Sequence, residues 1–183
     1  MKIWYSNPYS TEKNIGKAYN EFCEIVPNED DWIVISDGDV CYLTHKWGLH
    51  IAETIKLHGE NFDLITCVTN RLARPIQRYK GEFSENHDMI YHALIAKELE
   101  ENHWCEVEDI TKGKKVAGLL MIFKKSLWNK VKFRENDIAF DDTFSKELIK
   151  RGCKFGMMKG LYVYHFYRGW SETPIGDRKH LKK

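Results

Sequence analysis

The sequence has no apolar run longer than a strand requires and no Cys-x-x-Cys pair. The first absence argues against a membrane-spanning segment or a secretory leader. The second argues against a structural zinc site. The five cysteines, Cys23, Cys41, Cys67, Cys105 and Cys153, are odd in number, widely spread and mostly set in apolar runs. That usage predicts reduced, buried thiols in a cytoplasmic protein. Net charge is nearly absent, at +1 from 28 Lys and Arg against 27 Asp and Glu, so there is no overall basic footprint for a duplex. Repeats, low-complexity tracts and linkers are missing too, so residues 1–183 read as a single domain with room for a sizeable core. The basic tail, 177–183, reads as a solvated, frayed end.

What is present is a stretch of unusual shape, Asp31-Trp32-Ile33-Val34-Ile35-Ser36-Asp37-Gly38-Asp39-Val40. Its apolar part reads as a buried strand. It ends in two carboxylates separated by a glycine, at the strand end where open α/β sheets carry their ligands. Two carboxylates on a turn that glycine lets come close to a ligand suit Mg²⁺ or Mn²⁺.

Around this stretch the pattern predicts a strand at Ile3–Ser6, a turn at Asn7-Pro8-Tyr9-Ser10 and a helix from Gly16 carrying Tyr19, Phe22, Cys23 and Val26 at helical spacing. A helix over 45–58 follows, with Trp47, Ile51 and Ile55 on one face and Gly59 as its stop. Then come a strand over 63–69, a basic loop over 70–81 holding Arg71, Arg74, Arg78 and Lys80, a helix over 85–100 and a short edge strand over 106–110. The apolar run 116–123, a short helix over 126–131, a helix opened by Phe140-Asp141-Asp142 and closed by Gly152, and two strands over 155–158 and 161–166 complete the order. Strands and helices alternate first and mix later. The expected class is α/β: a mixed sheet, mostly parallel, flanked by helices.

Three local patterns fall in an order that resembles the nucleotide-sugar glycosyltransferases of the GT-A fold, closest to family 2. The segment Asn14-Ile15-Gly16-Lys17-Ala18-Tyr19-Asn20 resembles the family's Gly-x-Ala-x-x-Asn helix start. The stretch 33–39 resembles its strand ending in Asp-x-Asp. Residues 118–127, then Phe140-Asp141-Asp142 and 148–152, resemble its glycine strand, acidic pair, helix and glycine, and Val163-Tyr164-His165 resembles its strand-end histidine. The likeness covers roughly 14–165. It departs from the family before Asn14, where one short strand stands in place of a strand, helix and second strand; the nucleobase would be read around 6–10, at Ser6 and Tyr9.

The resemblance implies a metal-dependent transfer of a sugar from a nucleoside diphosphate donor, by analogy a UDP-sugar, to a hydroxyl on a glycan, lipid-linked, protein or modified nucleic-acid acceptor. Asp39 and His165 would hold the cation, and Asp37 the ribose or the same metal. Asp142 would be the base and Asp141 the holder of the donor sugar or acceptor. Asn14, Lys17, Asn20, Gly118, Arg168 and Trp170 would meet the nucleotide-sugar, with Trp170 stacking. Each assignment has a structural counterpart. Asp-Gly is common in polar turns, Asp141 and Asp142 at a helix start can cap it, Asn14 can do the same, Lys17 can be a solvated lysine, Gly118 can mark a tight strand contact, His165 can be a satisfied core histidine, and the 70–81 loop can be a solvated charged face.

Two other functions fit parts of the pattern. A haloacid dehalogenase-type phosphohydrolase also ends an apolar strand in Asp-x-Asp, with Asp37 as nucleophile, Asp39 as acid/base and Asp141 with Asp142 on magnesium. A non-catalytic nucleotide-sugar or glycan-binding module would bind without turnover.

Overall fold

Four consecutive apolar residues, Trp32 to Ile35, leave a strand nowhere to go but the centre of a sheet, and Trp32–Ser36 is buried throughout. The structure is a computed structural model that describes residues 1–112 and 115–167. In chain order the elements are β1 (Ile3–Ser6), α1 (Ile15–Ile25), β2 (Trp32–Ser36), β3 (Val40–Tyr42), α2 (Trp47–His58), β4 (Leu64–Thr69), α3 (Met89–Asn102), β5 (Val107–Asp109), β6 (Leu120–Lys124), α4 (Lys125–Lys130), α5 (Phe140–Lys150) and β7 (Phe155–His165), with single 3₁₀ turns at Pro75–Gln77 and Tyr79–Gly81. The class is mixed α/β, as expected.

Contacts group the chain into two compact units. The first contains Met1–Gly38, Glu60–Thr66 and Asp109–Gly156, and the second Asp39–Gly59, Cys67–Glu108 and the chain from Met157 onward. In the first, β1 lies parallel to β2, with Tyr5 opposite Val34. β6 runs antiparallel to β2, with Ile122 opposite Val34, and β4 is antiparallel to β6 on its other side. Against these strands sits an aromatic core in which Phe133 stacks on Phe144 at 4.2 Å and Tyr19 meets Phe133 and Phe140 edge-on at 5.2 and 5.0 Å. Burying each such ring contributes roughly 1.5–3 kcal/mol.

In the second unit β3 is antiparallel to β7, with Val40 opposite His165 and Tyr42 opposite Val163, and β5 also pairs with β7. Here α2 buries Ile51 and Ile55, but also the polar His50 and Thr54, and α3 buries His92 beside Ile95, Ala96 and Leu99. Cys23, Cys67 and Cys105 are buried free thiols, as their apolar neighbours predict.

The expected mostly parallel sheet is not what the defined registers show. Of four pairs only β1–β2 is parallel. Apolar runs report burial but carry no sign of strand direction. The two strands expected over 155–158 and 161–166 are one, because β7 runs unbroken through Lys159 and Gly160. Glycine is needed at 160 for packing: a Cβ there would lie 2.5 Å from the His103 carbonyl oxygen and 2.6 Å from His50 Cε1. Strand β3 had no counterpart in the sequence reading. It has three half-buried residues and no alternation to read.

Candidate active site: Asp39, His165 and the carboxylates of the first unit

His165 is held on every side. Asn70 accepts its N–H at 2.8 Å and donates to its C=O at 3.3 Å. The ring Nδ1 lies 3.0 Å from the Arg71 carbonyl oxygen. A carbonyl only accepts, so Nδ1 carries the proton, and a neutral ring then presents the lone pair of Nε2. That Nε2 stands 3.3 Å from Asp39 Oδ1. Two acceptors do not attract, so the gap calls for positive charge, either a second proton on the ring or a cation. A backbone carbonyl behind the imidazole is also how metal-bound histidines are commonly oriented. His165 is only 4% exposed, so any ligand approaches it from the Asp39 side.

Asp39 sits in the turn that enters β3, and its own carbonyl accepts the Phe166 N–H at 2.9 Å. Burial is the largest influence on its carboxyl and pushes it up. Once the ring carries its second proton, the hydrogen bond and charge of His165, with the N–H groups of Asp39 itself and Tyr167, outweigh that and leave it below the ordinary carboxylate range. The ionised form is the one that ligates a hard cation.

Asp37 precedes Gly38 and belongs to the first unit. Its Oδ1 accepts from the Tyr19 hydroxyl at 3.0 Å, while its N–H donates to the Leu119 carbonyl and its C=O accepts from Asn7 Nδ2. Tyr19 is 1% exposed and rooted in the aromatic core, so the carboxylate is held by a rigid donor. The sequence marks Tyr19 only as an apolar helix position, and nothing in its spacing identifies this bond.

Asp141 and Asp142 open α5 as expected, with different tasks. Asp141 Oδ2 accepts the Gly118 N–H at 2.9 Å and Oδ1 accepts the Asp142 N–H at 2.8 Å, so this side chain ties the 116–119 segment to the helix start. Asp142 forms an ion pair with Lys115 at 3.2 Å and remains 23% exposed. Ala139, the residue before the helix, is no side-chain cap. The Asp142 N–H in the first turn is instead met by Asp141, and Asp137 accepts from the Ala139 N–H and the Thr143 hydroxyl, both at 2.9 Å. Asp142 is thus a partly exposed carboxylate beside a cation. Lys115 and Asp137 are both absent from the sequence-derived site.

Several expectations are corrected. Gly118 lies in the turn before β6, not in a strand interior, and the group that approaches it is protein: a Cβ there would lie 3.0 Å from Asp141 Cβ. Asn20 reaches neither the Asp37 turn nor open space. Its Oδ1 accepts from Trp128 Nε1 and the Phe133 N–H, and its Nδ2 donates to the Phe133 carbonyl and Glu135. Asn14 caps α1 through the Lys17 N–H and pins Asn136 with both ends of its amide, in line with the structural alternative. Lys17 lies 3.8 Å from Glu12 and 3.9 Å from Glu21 on the surface. The 70–81 loop is not a solvated face throughout. Arg71 is fully buried and donates to the Asn86 carbonyl and the Tyr164 hydroxyl, because its own carbonyl must reach His165. Ser6 ends β1 opposite Ile35, and Tyr9 is 81% exposed. Arg168 and Trp170 lie outside the described residues.

The chain matches no protein-family model and no curated protein sequence. Among the described residues, no helix is long and apolar enough to cross a membrane.

Proposed function

We propose that this protein is a metal-dependent glycosyltransferase with a GT-A-like core, working in the cytoplasm. It transfers a sugar from a nucleoside diphosphate donor, a UDP-sugar by family analogy, to a hydroxyl acceptor with inversion. The observation that carries this reading is the Asp39–His165 pair, an ionised carboxylate 3.3 Å from an imidazole whose other nitrogen is tied to a carbonyl. A carboxylate with a neutral imidazole suits Mn²⁺, and with oxygen ligands Mg²⁺. Asp37 takes the donor's ribose. A bound cation supplies neutralisation of the charge on the departing diphosphate. Asp142 takes the acceptor's proton, held beside Lys115 at 3.2 Å. Asp141 sets the position of Asp142 by accepting its N–H.

The deciding experiment is a thermal-shift panel of nucleoside diphosphate sugars with and without Mn²⁺. A donor that stabilises the wild type only with Mn²⁺, and does not stabilise Asp39→Ala, supports the reading. A stabilisation indifferent to Mn²⁺ and to Asp39 sinks it. Trapping a phosphoaspartate on Asp37 would instead favour the phosphohydrolase, and donor binding with no transfer or hydrolysis the binding module.

A further inference from the structure

The second unit contains an open cavity of about 740 Å³ walled by α2 and α3, with Trp104 on its lining. One face of the Trp104 ring is covered: His50 stacks on it with centroids 4.4 Å apart and planes 16° from parallel. The indole edge is fixed too, because Nε1–H donates to Glu53 Oε2 at 2.7 Å. His50 is itself clamped, fully buried, with Nε2 accepting the Cys105 N–H at 2.8 Å. That bond puts the proton on Nδ1, which has no hydrogen-bond partner. An unsatisfied buried donor is an uncommon cost, and it stands behind an indole that lines the cavity while His50 itself does not.

The groups around that face select the ligand. Three carboxylates, Glu53, Glu100 and Glu101, face two ammonium groups, Lys46 and Lys97, so the lining is close to neutral. Two of the carboxylates already have partners: Glu100 accepts the His45 and Lys46 backbone N–H groups, and Glu101 lies 3.8 Å from Lys97. A cation would meet two lysines and an anion three glutamates. Leu49, half exposed, adds apolar surface. What fits a rigid π face rimmed by hydrogen-bond acceptors and donors is a neutral ring with one C–H face and hydroxyls at its edge. The volume falls in the range of small-ligand sites.

We infer that Trp104, mounted on His50 and Glu53, is the platform of a saccharide-binding site outside the Asp39–His165 centre. Leu43 on the cavity wall is four residues from Asp39, about 13 Å at strand rise. The site needs neither metal nor nucleotide, so it stands independently of the transferase reading.

The test titrates ¹⁵N-labelled full-length protein, in metal-free buffer, with maltotriose, cellotriose and N,N′,N″-triacetylchitotriose, following the Trp104 indole N–H, assigned with Trp104→Phe, wherever Trp104 is kept, and in every variant the backbone amides of Leu49, Ala93 and Lys97 on the cavity wall. At least one trisaccharide should move that signal, with affinity falling roughly tenfold or more in Trp104→Ala. Affinity should be largely kept in Trp104→Phe and unchanged in Asp39→Ala. If none moves it up to about 10 mM, or if tetramethylammonium moves it and the sugars do not, the site is not a saccharide site. Should Trp104→Ala not fold, the wild-type titration alone decides. Loss of the Mn²⁺ reading at Asp39 leaves this outcome untouched, and the reverse holds.

Discussion

Asp39 Oδ1 and His165 Nε2 face each other at 3.3 Å with no proton assigned between them by the rest of the network. A divalent cation would give both lone pairs a common target under the proposed function. Mn²⁺ at a hundredfold excess over its Kd should therefore stabilise the wild type by about 2.7 kcal/mol. Neither Asp39→Ala nor His165→Ala should show the gain. Calorimetric titration alongside thermal melts checks this, and a retained gain in either variant removes that residue from the ligand set.

Asp142 pairs with Lys115 at 3.2 Å and stays partly exposed. Asp142→Asn should lower turnover of a nucleoside diphosphate sugar by about 10²–10⁴ while leaving donor binding and melting temperature nearly unchanged. Equal losses of binding and turnover would recast Asp142 as a binding group. Lys115→Met should change stability by less than about 1 kcal/mol, since both partners are partly exposed.

Two glycines give opposite expectations. At Gly16 in α1 a Cβ would lie 2.2 Å from the Arg134 carbonyl oxygen, a backbone atom with nowhere to go. Gly16→Ala should cost about 1–3 kcal/mol through forced displacement. At Gly48 in α2 nothing lies within 4 Å of that position, and Gly48→Ala should gain about 0.5–1 kcal/mol from helix propensity. Urea midpoints at constant slope measure both.

His50 gives the protein an acid limit. Burial holds its imidazole down at about 4, against an ordinary 6.5. The folded state then binds fewer protons than the unfolded one, so this contribution is complete above the ordinary value and is lost as pH falls from there towards about 4. The slope approaches about 1.4 kcal/mol per pH unit at most. In His50→Gln the part of the slope due to this group should vanish. Urea unfolding measured across that window reads it directly, and an unaltered slope would place the acid sensitivity elsewhere.

The parts of the fold that could be read from the sequence are those where hydrophobic pattern alone decides. Trp32–Ser36 and Ile3–Ser6 stand where their apolar runs put them, and α1 and α5 lie where apolar spacing places them. What escaped is relational. The Lys159–Gly160 step looks like a break until His50 and the His103 carbonyl are seen against it. Arg71 looks like surface charge until its carbonyl is needed at His165. Asn14 and Asn20 are polar residues in a suggestive motif, yet their amides bond to segments more than a hundred residues away. At the candidate site the residue types were legible, and their pairings with Tyr19, Lys115 and Asn70 were not.

Asn70 carries a consequence of its own. By accepting from the N–H of His165 and donating to its C=O, one carboxamide reproduces the two bonds that a neighbouring peptide unit would make. Asn70 thereby fixes the backbone from which the imidazole projects, and the Arg71 carbonyl fixes the ring. An aspartate there would keep the acceptor and lose the donor, letting the peptide plane tilt and carrying Nε2 off line. Position 70 is thus where a mutation would shift His165 against Asp39 without touching either side chain.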